Sequence, residues 1–505
     1  MSALTNYIPK TKPYDHQQLV LEKSWDRSFY GFLLEMGTGK SKIDIDSFCI
    51  QIELRAIDCI LILAPKGVYR NWYLKELPEH MPDRHHKNST IHLWKGGGSS
   101  TEQKQLQYLL KKDGRIKILI MNTEALSMSP KAWEFAQKFV KSGRCYTNVD
   151  ESSTIKNPQA IRTKKIIKLG HMSVFRRIIT GSPVTRSPLD LWSQFEFLQP
   201  QCLGHKSYYS FRSRYAVMEQ KTFGGRNIDI VVGHRDINHL SAIVAKHASV
   251  IRKEDCLTLP PKVYTTRYVS LTEEQTKAYT ELKEWATTQL ESGDFVTTTQ
   301  VITLLLRLHQ IVCGHVVDEH GSIHDLPTNR LNDLQEIIEE TTGRNIVWCT
   351  YRRDIAKVVE RLKAMGRRVV EYHGGVTEEL RQEAIFRIQG RGPIIKDGQV
   401  VGERVCPDHL RADDFVGTQA SGGYGITLTE CNTVIYYSNN YDLEKRLQSE
   451  DRAHRIGQTK SVLYVDMMVK GTIEEQIIEA LKRKESLANL IMDGPARIRG
   501  IIGLM

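Results

Sequence analysis

Phe29-Tyr30-Gly31-Phe32-Leu33-Leu34-Glu35-Met36-Gly37-Thr38-Gly39-Lys40-Ser41 is the stretch that decides the fold. Phe29 to Leu34 is a short apolar run of the kind that makes a buried strand. A glycine-rich turn ends it, and a helical pattern follows. Strand, glycine turn and helix form the context in which a phosphate-cradling loop works. The glycines let successive backbone N–H groups curl around an anion, and the helix N-terminus adds a favourable dipole. On this reading Glu35, Met36, Gly37, Thr38, Gly39, Lys40 and Ser41 line a nucleotide site. Lys40 neutralises the β- and γ-phosphates and the Ser41 hydroxyl ligates Mg²⁺. One departure stands out: the strict spacing asks for glycine where Leu34 sits. The alternative is a glycine-rich turn that binds nothing.

The same rhythm runs outward from this loop. Residues 60–64 form a second apolar run, stopped by Pro65, and residues 116–121 a third. Residues 145–149 make a weaker strand ending at Asp150, and residues 177–180 a fifth, closed by Gly181 and Pro183. Residues 189–326 change texture to long amphipathic helical patterns, notably 273–290 and 301–312, with the Pro260-Pro261 step marking a boundary. Strands then return at 345–349, 369–372, 433–437 and 462–467, with helices at 353–365 and 377–389. Alternating strands and helices predict parallel α/β architecture. The expected division is residues 1–259 as a first lobe with a helical protrusion, 260–326 as a helical protrusion of the second lobe, 327–485 as the second lobe, and 486–505 as a tail. Within the second lobe, residues 390–414 read as an inserted surface hairpin, signalled by Lys396-Asp397-Gly398.

The chain of 505 residues carries 70 Lys and Arg against 59 Asp and Glu, a net charge of +11. A basic balance on a chain this size favours a polyanionic partner, most often nucleic acid. Its 9 cysteines are scattered without a Cys-x-x-Cys, which predicts reduced, mostly buried thiols. Cys406 and His409 lie close together without a second ligand pair. No apolar run approaches the roughly 18 residues that span a bilayer. Residues 1–7 lack the charged and apolar regions of a secretory signal. The expectation is a soluble, intracellular protein.

Three further groups carry chemistry. Asp150-Glu151 follows the weak strand, downstream of the phosphate loop. There Asp150 suits the Mg²⁺ and Glu151 suits orienting and deprotonating an attacking water. Alone the pair would be solvated surface charge; its place at a strand end raises it. Thr180-Gly181-Ser182-Pro183 is a tight turn whose hydroxyls could link a nucleotide site to a moving part. Arg452 and Arg455 lie three apart on an expected helix and so share a face, with Gln448 one turn earlier. Such a pair is often a surface cluster, but read with the loop and the carboxylates it becomes a pair of arginine fingers, planar, permanently charged and matched to phosphate oxygens. Ser421-Gly422-Gly423-Tyr424-Gly425-Ile426 permits close backbone approach, to ligand or to another strand.

In this order the motifs resemble those of the Swi/Snf-type superfamily II helicase-like ATPases, from about Lys12 to about Asp493. Lys12-Pro13-Tyr14-Asp15-His16-Gln17 resembles the adenine-reading motif, and Ala64-Pro65-Lys66-Gly67-Val68-Tyr69-Arg70-Asn71-Trp72 and Asn122-Thr123-Glu124 resemble DNA-contacting motifs. Asp150-Glu151-Ser152-Ser153-Thr154-Ile155-Lys156-Asn157 resembles the extended carboxylate motif, Leu189-Asp190-Leu191-Trp192-Ser193-Gln194-Phe195-Glu196-Phe197-Leu198 the signature beyond it, and residues 448–458 the arginine motif. Residues 250–262, 304–315, 372–375, 418–428 and 470–475 match other family segments.

The resemblance implies two RecA-like parallel α/β lobes with helical insertions between them, and a monomeric DNA-dependent ATPase that couples ATP hydrolysis to translocation on duplex DNA. ATP and Mg²⁺ are the implied cofactors, with Gln17 reading the base and Gly425 near the nucleotide. Lys66, Arg70, Thr123, Lys156, Thr350 and Thr418 are the implied nucleic-acid contacts. The compartment would be the cytoplasm of a phage or bacterial host, or the nucleus of a eukaryotic one. A strand-separating or branch-migrating helicase, an RNA-directed ATPase and an inactive nucleic-acid-binding scaffold are the rivals. Two departures from the family carry expectations. Ser153 replaces a common His, so the link from Glu151 to Thr180 should be rewired. Asn440-Tyr441-Asp442 replaces the usual Trp-Asn-Pro, which weakens DNA contacts there. The chain reads as close to a bare motor.

Overall fold

The computed structural model describes residues 3–184, 187–223, 226–292, 298–318, 320–396, 399–422 and 426–482. The chain divides into two compact units, Met1–Thr258 with Pro393–Gly402, and Leu259–Gly392 with Glu403–Met505.

In the first unit the apolar runs become strands β1 (Phe29–Leu34), β2 (Cys59–Ala64), β3 (Ser89–Leu93), β4 (Ile116–Asn122), β5 (Cys145–Asp150) and β6 (Phe175–Ile179). An antiparallel hairpin follows, β7 (Ala216–Phe223) with β8 (Arg226–His234), and then β9 (Ala248–Ile251). Seven of these form one parallel sheet in the order β3-β4-β2-β5-β6-β1-β9. Ile60, Leu61, Ile62 and Leu63 are fully buried, as expected where helices cover both faces of a parallel sheet. Phe139, Phe195 and Phe197 pack with Leu61 and Leu63 on one of those faces.

The second unit contains β10 (Lys262–Tyr268), a small hairpin β11 (His315–Val317) with β12 (Ile323–Asp325), β13 (Arg344–Cys349), β14 (Val369–Tyr372), β17 (Asp414–Thr418), β18 (Cys431–Tyr436) and β19 (Val462–Met468). Between β14 and β17 in the chain comes the hairpin β15 (Arg391–Lys396) with β16 (Gln399–Val405), most of which groups with the first unit. Its six-stranded parallel sheet runs β10-β19-β18-β13-β17-β14. Alternate residues of β13 enter different cores. Val347 and Cys349 join Leu304 and Leu308 of helix Thr298–Val312, whereas Ile346 and Trp348 join Phe415, Tyr436 and Ile388. A sheet with apolar residues on both faces is what the unbroken apolar runs encode.

The expected parallel α/β class is found in both units. Within residues 390–414 a hairpin forms, and its Pro393–Gly402 portion groups with the first unit rather than with the second lobe. The block at 189–326, read as dominated by helical patterns, also contains strands. It holds the hairpin β7–β8, and residues 262–268 are an edge strand of the second sheet. Val263, Tyr264 and Tyr268 on that strand are exposed. A half-covered edge strand lacks the continuous apolar run that marks an interior one. Among the described residues no helix is long and apolar enough to cross a membrane.

Candidate functional site

Parallel strands leave their C-terminal ends on one edge, where the connecting loops can converge. In the first sheet β1 and β5 flank β6, so the loops after Leu34, Asp150 and Ile179 emerge side by side. Leu34 is the last ladder residue: it pairs with Ile251, and the Glu35 N–H still donates to the Ile251 carbonyl at 2.9 Å. The backbone there is extended, so the missing glycine costs nothing. Glycine is needed later. Gly37 and Gly39 hold φ of 79° and 81°, and the helix Lys40–Glu53 starts at once. A Cβ on Gly39 would collide with the Gln17 amide. The loop is braced by Thr38 Oγ1 donating to the Glu35 carbonyl at 2.7 Å, and Lys40 Nζ reaches the same carbonyl at 3.3 Å. A Cβ on Gly181 would lie 3.3 Å from Lys40 Nζ and 3.0 Å from the Met36 nitrogen, so the Thr180–Pro183 turn sits directly on the loop.

Asp150 closes β5. Its Oδ2 accepts the Trp72 indole N–H at 2.8 Å and its Oδ1 the Glu151 backbone N–H at 3.0 Å. Burial pushes its carboxyl up to about 6, against the pull of the Trp72 hydrogen bond and the Lys40 ammonium. Lys40 thus lies close enough to Asp150 to act on its carboxylate. Glu151 adopts φ 49°, ψ 58°, the left-handed region. That conformation costs a non-glycine residue about 1–2 kcal/mol, and it turns the chain from the strand into the short helix Ser152–Ile155.

Beside Ser153, its neighbour Ser152 makes a side-chain link toward the Thr180 turn. Ser152 Oγ donates to Gln194 Oε1 at 2.7 Å, and Gln194 Nε2 donates to the carbonyls of Pro183 and Asp190, each at 2.8 Å. Ser182 N in turn donates to Thr180 Oγ1 at 3.1 Å. Two buried side chains therefore tie the carboxylate loop to the Thr180 turn.

The Gln17 amide is buried against the loop. Its Nε2 donates to the Thr38 carbonyl at 3.0 Å and its Oε1 accepts the Tyr14 N–H at 3.0 Å. His16 Nε2 lies 2.8 Å from the same carbonyl. Gln17 buttresses the loop. The space that could take a base is the adjoining open cleft of about 760 Å³, lined by Tyr14, Asp15 and His16 on one side and Asp255, Cys256 and Leu257 on the other.

Paired strand ends bring Lys66 and Thr123 to the same edge, since Ala64 aligns with Asn122. Glu124 Oε2 accepts the Lys66 N–H at 3.1 Å. Lys66 is exposed and Arg70 and Lys156 are partly so. Thr123 is fully buried, which removes its hydroxyl from the exposed set; it lies at the first turn of helix Thr123–Met128, packed inward.

In the second unit Thr350 follows β13 and Thr418 ends β17, the two strand ends being aligned at the Cys349–Thr418 pair. Thr350 binds Ser438 through backbone and side chain, at 2.8 and 3.3 Å, and Thr418 Oγ1 donates to Ser421 Oγ at 2.9 Å. The helix expected to carry the two arginines, Leu443–Glu450, stops before them. Residues 451–458 are turns, knitted by Gln458 Nε2 donating to the carbonyls of Thr429, Cys431 and Ala453 and ended by Gly457 at φ 97°. The arginines still converge: Arg452 and Arg455 both donate to the Ile426 carbonyl, at 3.1 and 3.3 Å. Arg446 fixes the preceding helix by pairing with Glu450 and Asp466, at 2.9 and 2.5 Å. Gly425 lies outside the described residues.

His309, Cys313 and Glu474 bring three buried donor atoms within 4.8 Å of one another. Arg330 pairs with the Glu474 carboxylate at 2.5 Å, and a guanidinium there opposes a divalent cation, so Glu474 is held by an ion pair that joins helices.

Comparison with known families decides what this geometry belongs to. The model of the SNF2-related domain matches residues 16–316, and that of the helicase conserved C-terminal domain matches residues 329–457. The chain belongs to the SNF2-related family. An ATP-dependent helicase of Mycoplasma genitalium is 26% identical over 96% of this SNF2-related chain and 43% of its own length. Human chromodomain-helicase-DNA-binding protein 1 is 25% identical over 69% of the chain and 19% of its own length. The chain thus spans less than half the length of these relatives. A solved structure titled as the Sulfolobus solfataricus SWI2/SNF2 ATPase core in complex with dsDNA aligns over 100% of both chains, at 23% identity and a TM-score of 0.41. Two contacts of this SNF2-related site were missed in the sequence: Trp72 on Asp150, and Gln194 on Ser152. A tryptophan and a glutamine at apolar-run positions were the available signals, and neither reveals its partner without the fold.

Proposed function

We propose that this chain is a DNA-dependent ATPase that moves along duplex DNA. The observation that carries the reading is the convergence of Lys40, Asp150 and the Thr180–Gly181 turn on one phosphate loop, in a chain of the SNF2-related family. Ser41 and Asp150 offer hard oxygen donors of the type Mg²⁺ prefers, and the ion would neutralise phosphate charge there. Glycine N–H groups and Lys40 hold the phosphates, and Glu151 orients and deprotonates the attacking water. Arg452 and Arg455, already gathered at one carbonyl, supply positive charge to the terminal phosphate in the hydrolytic state.

The lobes assigned to residues 1–259 and 327–485, with protrusions to 326, would each grip the backbone through loops at their strand ends. Lys66, Arg70, Lys156, Thr350 and Thr418 are the proposed contacts, Thr123 serving through its backbone. Phosphate contacts make binding sequence-tolerant and salt-sensitive. The 9 cysteines are all free and mostly buried, which suits a reducing compartment such as the cytoplasm.

The test is the ATPase rate with duplex, single-stranded, forked and RNA ligands, alongside displacement of a third strand from a triplex. Duplex-stimulated hydrolysis with triplex displacement supports the reading. Stimulation by RNA alone, release of single strands from forks, or hydrolysis with no nucleic-acid response would each replace it.

A further inference from the structure

The segment after β2 has two faces. Tyr69–Asn71 begins a helix, and Trp72–Glu76 continues it as a widened turn in which the Leu77 N–H bonds the Trp72 carbonyl. Pro78 follows in the next turn and has no N–H to donate, which disfavours regular α-helical closure. Such widened turns cluster at functional positions. Arg70 is partly exposed. Two residues on, Trp72 is fully buried, and its indole N–H donates to Asp150 Oδ2 at 2.8 Å. Glu76, on the same turn, lies close enough to act electrostatically on the same carboxylate. One turn therefore carries a partly exposed cation and holds, inward, the donor on the Asp150 carboxylate.

We propose that Trp72 is a positioning residue that transmits phosphate contact at Arg70 to the Asp150 carboxylate. The inference rests on the proposed function for what Arg70 touches. A shift of the turn rotates or stretches the indole hydrogen bond, and the Asp150 carboxylate changes orientation with it. Residues that orient metal-binding carboxylates are worth about 10–100-fold in metal affinity when removed. DNA would then tune how well Mg²⁺ and nucleotide are held, without any group on the DNA entering the nucleotide site.

Two readouts test this besides turnover. The first is the indole N–H resonance of Trp72 in ¹⁵N-tryptophan-labelled wild-type protein, assigned by its loss in Trp72→Phe. It should move on adding duplex DNA without nucleotide, and Arg70→Ala should abolish the movement. The second is nucleotide binding by calorimetry. Trp72→Phe should weaken ADP binding in Mg²⁺ by about 10–100-fold while leaving metal-free ADP binding unchanged. An indole resonance blind to DNA, or equal ADP affinities with Mg²⁺, would overturn the proposal. Should Trp72→Phe fail to fold, the wild-type resonance and Arg70→Ala decide the matter. Lack of duplex-stimulated hydrolysis in wild type strikes the proposed function instead, since the ADP comparison needs no DNA.

Discussion

The Ser152–Gln194 pair lets one interaction be weighed on its own. Both side chains are fully buried, and their hydrogen bond is 2.7 Å long. Gln194→Leu keeps the volume but strips the acceptor from the Ser152 hydroxyl and a donor from each of the Pro183 and Asp190 carbonyls. A buried polar group left unsatisfied costs about 1–3 kcal/mol, so this change should cost about 3–9 kcal/mol. Ser152→Ala orphans only Gln194 Oε1 and should cost about 1–3 kcal/mol. The double variant removes hydroxyl and amide together and leaves only the Pro183 and Asp190 carbonyls without their side-chain donor. It should therefore be less damaging than the two single changes added, with a coupling of about 2 kcal/mol, roughly 30-fold in an equilibrium constant. Hydrogen exchange read on peptides spanning residues 145–157 reports that quantity locally, without treating the two-unit chain as one cooperative transition. The same four proteins should show DNA stimulation of ATPase falling with the coupling, because the pair bridges the carboxylate loop and the Thr180 turn. Additivity within about 0.3 kcal/mol would refute the reasoning and reduce the contact to ordinary packing.

Other outcomes follow from the same geometry. Lys40→Ala and Glu151→Gln should each abolish DNA-stimulated hydrolysis, and wild-type-like turnover in either would remove the phosphate-site assignment. Arg455→Ala should bind ATP normally yet lose about 10³–10⁵ in hydrolysis rate; a loss below tenfold argues against a finger. Gly39→Ala meets the Gln17 amide at φ 81°, so nucleotide binding measured by calorimetry should fail even if the protein stays folded. Asp44, wholly buried, accepts from Tyr146 at 2.6 Å and from Asn148, and burial lifts its carboxyl from the ordinary 3.8 to about 6. The folded state thus holds its proton more tightly than the unfolded one. That stability is complete below pH 3.8 and is lost as pH rises through about 6, a change of about 3 kcal/mol. Asp44→Asn should flatten the pH dependence of the urea midpoint over that window; an unchanged slope would place the effect elsewhere.

The parallel α/β class, the phosphate loop and the carboxylate pair are all legible in the chain's residue order. Each is a local pattern: apolar runs encode strands buried on both faces, and a Gly-Thr-Gly-Lys-Ser turn after such a run encodes a backbone conformation set by its own residues. Leu34 looks like a defect in the loop because spacing alone does not tell where a strand ends. The ladder from Glu35 to Ile251 supplies that information. Strand β10 is hidden because an exposed edge strand carries no continuous apolar signature. The arginine segment is gathered by a different local structure from the expected helix. Three-residue spacing suggests a helix, whereas side-chain bonds from Gln458 and a shared carbonyl bring the two guanidiniums together in a turn.

Sequence by itself pointed to the strands and to the residues proposed to bear the chemistry, because strand and loop propensities act over a few neighbouring residues. Only the tertiary structure decided which polar groups meet. Trp72 lies 78 positions from Asp150, and Ser152 lies 42 from Gln194. Hydrogen bonds need donor and acceptor within a few ångströms, and strand order within the sheet, rather than separation along the chain, sets that distance.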